Sequence, residues 1–216
     1  MVTIQSASIK RTTKETDIDL YLQLDCPIGV KQEITINTGI GFLDHVSSVA
    51  RIFIPTWIRS YLDCSWNEWK MIKTETQMLD ALAKHSGMSL RLSCHQALFG
   101  QNGEGLKGIR RFGTGFAPLD EALARAVVTI SNRPYCSTDL KLKREMIGNL
   151  SCEMIPHIFY SFAMGAQITL HVDVLKGEND HHKSEASFKA LALALKQAIE
   201  KTGSDEVPST KGTLSV

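Results

Sequence analysis

Three side chains near position 180 have the types and the spacing of metal ligands. His181, His182 and Glu185 lie in the sequence Asn-Asp-His-His-Lys-Ser-Glu of residues 179–185. On a helix, His181 and Glu185 share one face, whereas His182 is turned about 100° away from His181. One face can therefore bind one ion while His182 faces a second. Mixed imidazole and carboxylate ligands suit zinc, manganese, iron or cobalt; the alternative is a solvated helix start that carries two histidines.

A helix must hold these ligands, and the sequence predicts one. Apolar residues recur at helical spacing across residues 184–201, namely Ala186, Phe188, Leu191, Leu193, Ala194, Leu195 and Ile199. Asp180 and Ser184 are both able to cap its N-terminus. The motif is therefore expected at the start of the last long helix.

Apolar and polar residues alternate in several other segments, which predicts strands. Segments 2–10 and 17–24 form a predicted hairpin, followed by a third strand at 33–38. Further strands are predicted near 125–132, 135–142 and 168–172, and helices at 118–123 and 158–164. The chain divides into two halves, and predicted strands predominate at the start of both. We therefore predict an α+β protein of two similar halves, 1–107 and 108–216, each a four-stranded sheet with helices on one face.

Four further polar residues could serve a site, although each alone has a simpler explanation. His45 starts a predicted helix after the glycine-bent loop 39–45, where a histidine is more often structural than a ligand. Glu15 lies in the hairpin turn, where a lone glutamate is usually an exposed charge. Arg111 and Arg133 lie in turns beside strands and suit bidentate phosphate binding. Either arginine alone would be interpreted as a surface charge.

An internal repeat indicates that the first half is interrupted. The strand residue Leu170 follows His157 by 13 residues, and Leu90 follows His45 by the same interval once residues 46–77 are removed. Segment 46–77, which contains all three tryptophans, is therefore predicted to interrupt an ancestral helix. The alternatives are a retained intron, which we prefer, and a genuine surface insertion.

The same repeat indicates a missing segment. His181 lies 24 residues after His157, so the first half should contain its own His-His-x-x-Glu motif near residues 95–106. Only 15 residues separate Leu92 from Gly108, too few for the motif and a long helix. We expect about 20 residues to be missing there, including two histidines and a glutamate.

The composition of the chain indicates which binding partners and which cellular compartment to expect. The net charge of +1 gives no general attraction to nucleic acid or to membranes. Five scattered cysteines without a Cys-x-x-Cys pair are typical of free thiols in a reducing compartment. There is no signal-type segment, and no apolar run approaches the roughly 20 residues of a membrane span. We expect a soluble cytoplasmic protein without nucleic-acid or membrane partners.

A series of ordered motifs accompanies the metal motif. They are Arg-Thr-Thr-Lys-Glu-Thr at 11–16, Thr-Gly-Ile-Gly-Phe-Leu-Asp-His at 38–45, Gly-Ile-Arg-Arg-Phe-Gly at 108–113, Pro-Leu-Asp-Glu-Ala-Leu at 118–123, Ser-Asn-Arg-Pro at 131–134, Thr-Leu-His at 169–171 and Val-Pro-Ser-Thr-Lys-Gly at 207–212. Together, in this order, they resemble imidazoleglycerol-phosphate dehydratase, the dehydratase of histidine biosynthesis. The resemblance covers most of the chain except about residues 46–77 and 95–106.

The resemblance implies a reaction and a set of site residues. The family removes water from D-erythro-imidazole-glycerol phosphate to give imidazole-acetol phosphate, with two Mn²⁺ ions per site. The implied metal ligands are His45, His157, His181, His182 and Glu185. The implied catalytic residues are His45, Glu185 and the substrate-contacting Glu15. The implied contacts to the substrate phosphate are Arg111, Arg133, Lys189, Ser209, Thr210 and Lys211.

The resemblance also implies an architecture and an assembly. Each half is expected to fold like the second domain of ribosomal protein S5. The family forms homo-oligomers of 24 subunits, with active sites shared between subunits.

The missing motif leaves two hypotheses about activity. The chain keeps five of the eight metal ligands that the resemblance implies, so its site is incomplete as written and no dehydration is expected from it. The first hypothesis is an enzyme of this family whose sequence record is damaged by gene-model error. The second is a catalytically inactive paralogue or splice form that acts only as an assembly or binding partner.

Overall fold

The computed structural model describes residues 6–12, 17–23, 41–42, 44–46 and 106–209. The strands in these ranges are β1 (Ser6–Thr12), β2 (Asp17–Gln23), β3 (Phe112–Leu119), β4 (Ala122–Ile130), β5 (Tyr135–Asp139), β6 (Met146–Ile147), β7 (Leu150–Ser151) and β8 (Ile168–Lys176). The helices are α1 (Met154–Ala166) and α2 (Asp180–Ile199), and residues 41–42 and 44–46 are also helical. Within the described ranges, no helix is long and apolar enough to cross a membrane.

The first half is represented by its opening hairpin and by the short helical segment around His45. Strands β1 and β2 pair antiparallel, with Ser6 opposite Gln23 and Thr12 opposite Asp17, which confirms the predicted hairpin. The predicted strand 33–38 and residues 47–105, which include the tryptophans and the region of the missing motif, lie outside the described residues. The insertion, the missing segment and the organisation in two similar halves therefore stay predictions.

The second half is a four-stranded sheet covered by two helices. The strand order is β3-β4-β8-β5, and all neighbours are antiparallel except β5 and β8. Parallel strands need a crossover, and α1 supplies it between β5 and β8. Helix α2 packs against β3 and β4, whereas α1 packs against β5 and β8. This arrangement confirms the predicted α+β class.

The alternating burial of the central strands shows which face carries the core. Along β4, residues Ala122, Ala124, Ala126, Val128 and Ile130 are buried, and the residues between them are partly exposed. The buried residues of β8 alternate in the same way. A period of two places these side chains on one face of the sheet, where both helices cover them.

Small residues bring α2 unusually close to β3. A Cβ atom on Gly113 or Gly115 would collide with the carbonyl oxygen of Ala194 or Ala190, respectively, in the α2 backbone. Glycine on the strand and alanine on the helix therefore fix the distance between the two elements. Because α2 carries the metal motif at its N-terminus, this contact also positions the motif relative to the sheet.

The three helices predicted in residues 108–216 all differ from the structure. Residues 118–123 are not a helix but the end of β3, a two-residue turn at Asp120 and Glu121, and the start of β4. Asp120 adopts a left-handed φ of 45°, which an aspartate tolerates in a turn. Helix α1 begins before His157, at Met154. Helix α2 begins at Asp180, and its N-cap is Asn179, whose side chain accepts a hydrogen bond from the backbone N–H of His181.

Candidate metal centre

Glu185 is the centre of a compact group of potential metal ligands. Its Oε2 atom lies 3.0 Å from Nε2 of His45 and 3.3 Å from Nε2 of His181. One ligand atom from each of the three residues lies within 4.8 Å of the others. Two ligands that bind one ion at about 2.1 Å and at a right angle are themselves about 3 Å apart. The group therefore fits a single cation with two imidazoles and one carboxylate.

Two separate parts of the chain form this group. His181 and Glu185 are one turn apart on the first turns of α2, as the helical spacing predicts. His45 comes from the short helical segment at residues 44–46, and the ring of Phe42 in the same region packs edge-on against His181 at 5.0 Å between centroids. The Glu185 side chain is 8% exposed, whereas the imidazoles of His45 and His181 are 51% and 44% exposed. The buried carboxylate thus faces a side that solvent reaches.

Lys189 holds the second oxygen of the same carboxylate. Its Nζ atom lies 2.8 Å from Oε1 of Glu185, one turn further along α2. Burial would raise the pKa of Glu185, but hydrogen bonds from Lys189 and His45 outweigh burial, so the pKa lies below its usual value. Glu185 is therefore ionised at neutral pH and is available as an anionic ligand.

His182 does not join this group. Its Nδ1 atom lies 2.7 Å from Oε2 of Glu121, and its ring is nearly perpendicular to that of His181, with 5.9 Å between centroids. The hydrogen bond to Glu121 raises the pKa of His182. Backbone hydrogen bonds from Asn179 and the contact with His182 lower the pKa of Glu121 to about 2. His182 thus faces a different direction from His181, as the helical offset predicts.

Glu121 is the residue that the sequence analysis missed. The sequence pattern of residues 118–123 predicts a helix, which gives the Glu121 side chain no partner. Only the hairpin turn between β3 and β4 brings it to the start of α2. Its partner His182 is 61 positions away in sequence, so no local pattern indicates the contact.

His157 lies on α1, apart from the group around Glu185. Its Nε2 atom is buried and has no hydrogen-bond partner among the described residues. Its ring is stacked parallel to that of Tyr160, with 6.4 Å between centroids. An unsatisfied buried nitrogen costs free energy unless a ligand binds it. This observation agrees with a ligand role for His157 but does not place it at an ion.

Arg111 and Arg133 lie at the opposite end of α2 from the metal centre. The backbone N–H of Arg111 donates to the carbonyl of Ala198 near the end of α2, and the Arg111 carbonyl accepts from Ile130 at the end of β4. Arg133, in the turn after β4, is exposed. Because a helix rises about 1.5 Å per residue, the 13 residues from Glu185 to Ala198 separate the two regions by about 20 Å.

The Arg111 side chain lies beside the C-terminal segment of the chain. Its Nη1 atom donates to the carbonyl of Pro208 at 2.9 Å, and its guanidinium lies 5.0 Å from the centre of the Phe112 ring. Its Nε atom is buried and has no hydrogen-bond partner among the described residues. Ser209 follows directly after Pro208, so Arg111 and Ser209 belong to one region. Glu15, Thr210 and Lys211 lie outside the described residues.

A cavity of about 330 Å³ opens beside the two histidines of α2. Asn179 and Arg144 also line it. It offers space next to the imidazoles, and its wall combines the Arg144 guanidinium with the apolar side chains of Met146 and Ile147.

Comparison with known proteins identifies relatives of this chain. The family model of imidazoleglycerol-phosphate dehydratase matches residues 96–195. The imidazoleglycerol-phosphate dehydratase of Komagataella pastoris is 43% identical, with 97% of each chain covered. That of Phaffia rhodozyma is 46% identical, with 98% of this chain and 97% of the relative covered. None of these comparisons favours an inactive paralogue.

One alignment is longer than this chain. The imidazoleglycerol-phosphate dehydratase of Saccharomyces cerevisiae is 40% identical, and the match covers 99% of this chain and 100% of the relative. The match extends over 251 positions, which exceeds the 216 residues of this chain. The relative therefore has residues without a counterpart here.

Solved structures give the same relationship. The imidazoleglycerol-phosphate dehydratase of Staphylococcus aureus superposes with a TM-score of 0.71 at 27% identity, covering 91% of this chain and 99% of that chain. The structure from Pyrococcus furiosus, in complex with (S)-C348, superposes with a TM-score of 0.66 at 30% identity. It covers 95% of this chain and 99% of that chain.

Proposed function

Because this chain belongs to the imidazoleglycerol-phosphate dehydratase family, the hydro-lyases of histidine biosynthesis, we propose that His45, His181 and Glu185 form one metal centre of this dehydration. The observation that carries the proposal is the convergence of two imidazole nitrogens on one buried, ionised carboxylate. The substrate is D-erythro-imidazole-glycerol phosphate and the product is imidazole-acetol phosphate.

The metal that we propose is Mn²⁺, with two ions in a complete site. When bound, the ion acts as a Lewis acid that stabilises negative charge developing on the substrate imidazole. Glu185 contributes an anionic oxygen, and His45 and His181 contribute neutral nitrogens. Lys189 holds the other carboxylate oxygen and so fixes the orientation of Glu185. We assign His182 and His157 to the second ion and Glu15 to a contact with the reacting part of the substrate.

The substrate phosphate is assigned to Arg111, Arg133, Ser209, Thr210 and Lys211, with Lys189 assisting. The separation of about 20 Å between Arg111 and Glu185 along α2 is too long for one small substrate to bridge within a single chain. We therefore propose a homo-oligomer in which one subunit supplies the metal centre together with Lys189, and another supplies the remaining phosphate contacts. The family resemblance suggests 24 subunits, and the biosynthetic role suggests a cytoplasmic location.

A complete site also needs the second His-His-x-x-Glu motif that this chain lacks. The Saccharomyces cerevisiae relative contains residues that have no counterpart here, as a missing segment requires. On this account, the chain is an enzyme of the family whose sequence as written has lost part of its metal site.

Metal binding by a histidine variant tests the proposed centre. Mn²⁺ is titrated into wild-type protein, His181→Ala and the control His171→Ala, and free Mn²⁺ is measured by electron paramagnetic resonance. His171 is exposed on β8 and contacts Tyr135, so its loss should leave binding unchanged. We expect His181→Ala to weaken binding at least about 10-fold. Equal binding by all three proteins would overturn the assignment.

A further inference from the structure

The turn between β3 and β4 carries a carboxylate that contacts two different groups at the start of α2. The Oε1 atom of Glu121 accepts hydrogen bonds from the backbone N–H groups of Glu178 and Asn179, at 3.2 and 2.8 Å. Its Oε2 atom lies 2.7 Å from Nδ1 of His182. One side chain therefore connects the turn both to the backbone before α2 and to a proposed metal ligand.

These contacts determine which nitrogen of His182 carries the proton. An ionised carboxylate accepts hydrogen bonds and cannot donate, so the imidazole must donate from Nδ1. In the neutral imidazole, Nε2 then keeps its lone pair, which is the form that binds a metal. The Asp120 carboxylate oxygen is 3.7 Å from Nε2, beyond the usual range of a hydrogen bond. Nε2 is thus not committed to Asp120.

We infer that Glu121 is a positioning residue that holds His182 with Nδ1 protonated and Nε2 available as a metal ligand. The inference rests on the proposed function, in which His182 serves the second ion. A carboxylate bound to the far nitrogen of a ligating histidine fixes the ring and increases its basicity, and its loss typically weakens metal binding 10- to 100-fold. Glu121 acts through His182 and needs no contact with the substrate.

The substitution Glu121→Gln reverses this hydrogen bond without removing the rest of the contact. The two backbone N–H groups that face Oε1 require an acceptor there, so the amide oxygen of glutamine must occupy that position. The amide NH₂ then faces Nδ1 of His182 and donates to it. The proton moves to Nε2, and this nitrogen must lose it again before a metal can bind.

The first measurement determines the tautomer in the metal-free protein. Long-range proton–nitrogen spectra of ¹⁵N-histidine-labelled protein are recorded at about pH 9, where imidazoles are neutral, and His182→Gln identifies the signal. We expect the Nδ1–H form in the wild type and the Nε2–H form in Glu121→Gln. An Nε2–H form in the wild type, or the same tautomer in both proteins, would overturn the inference.

The second measurement is Mn²⁺ binding by the same proteins, with Glu178→Gln as the matched control. Glu178 lies in the same loop and is exposed, and its carboxylate contacts Lys143 rather than His182. We expect Glu121→Gln to bind the Mn²⁺ ion assigned to His182 about 10- to 100-fold more weakly than the wild type and the ion at Glu185 equally well, whereas Glu178→Gln binds both as the wild type does. Equal binding by both variants contradicts the positioning role.

The two measurements also separate this inference from the proposed function. A wild-type protein that binds no Mn²⁺ contradicts the proposed metal centre, while the tautomer still tests what Glu121 does to His182. If Glu121→Gln binds the Mn²⁺ ion assigned to His182 as tightly as the wild type does, only the inference about Glu121 is rejected. The proposed centre at His45, His181 and Glu185 is then unaffected.

Discussion

The Glu185 carboxylate is both buried and charged, and the groups around it stabilise its charge. A buried carboxylate is costly unless it is paired and hydrogen-bonded. Lys189 occupies one oxygen and the two imidazoles approach the other. In the metal-free protein these groups stabilise the charge, and a bound cation would take over the role of the imidazole protons. The proposed metal centre is therefore largely preformed.

Removal of the Lys189 ammonium should destabilise the metal-free protein. Hydrogen bonds to charged groups contribute about 1.5–3 kcal/mol, so we expect Lys189→Met to lower the free energy of unfolding by about that amount. Urea denaturation without metal measures it. Lys196→Met, on an exposed position of the same helix, is the control and should change stability little. Equal losses in the two variants would show that Lys189 does not stabilise Glu185.

Sequence patterns predicted the candidate ligands that helix geometry relates and missed Glu121, which contacts one of them only through the tertiary structure. His181 and Glu185 share a face because they are four residues apart, and His182 points elsewhere for the same reason. Glu121 reaches His182 only through the hairpin turn. The interpretation of 118–123 as a helix failed because a short apolar and acidic string fits both a helix and a tight hairpin, and pairing of β3 with β4 decides between them.

The contact between α2 and β3 connects the metal motif to the sheet. Gly113 and Gly115 let the α2 backbone approach, with alanines on the facing side of the helix. The buried pair of Asp180 and Lys183 adds a second connection, because the Asp180 carboxylate accepts from the backbone N–H groups of Lys143 and Arg144. The start of α2 is thus held from two sides.

A methyl group at Gly115 should disturb this contact. Overpacking of a well-packed interface costs about 1–3 kcal/mol, so we expect Gly115→Ala to lower the free energy of unfolding by that amount. Gly41→Ala is the matched control, because a Cβ atom there meets no atom within 4 Å. Thermal and urea denaturation of both variants measure the difference. A Gly115→Ala protein as stable as the wild type would mean that the helix can move away from the strand at no cost.

At the scale of the whole molecule, the two parts of the proposed site lie at opposite ends of one helix. The metal centre is at the N-terminus of α2, and Arg111 is bonded to its last turn. If both sets of residues serve one substrate, as we propose, a separation of about 20 Å means that a second copy must complete the site. Motifs in the sequence identify the candidate metal ligands and the candidate phosphate contacts. They do not show that the two sets lie far apart within a single chain.

The most direct test of the account is product formation from imidazole-glycerol phosphate by two forms of the chain in the presence of Mn²⁺. The first is the sequence as written. The second lacks residues 46–77 and carries a segment with a His-His-x-x-Glu motif after Cys94, which restores the eight implied ligands. We predict Mn²⁺-dependent turnover by the repaired chain, lost again on His181→Ala, and no turnover by the chain as written. Normal turnover by the unrepaired chain, or none by the repaired one, would contradict the account.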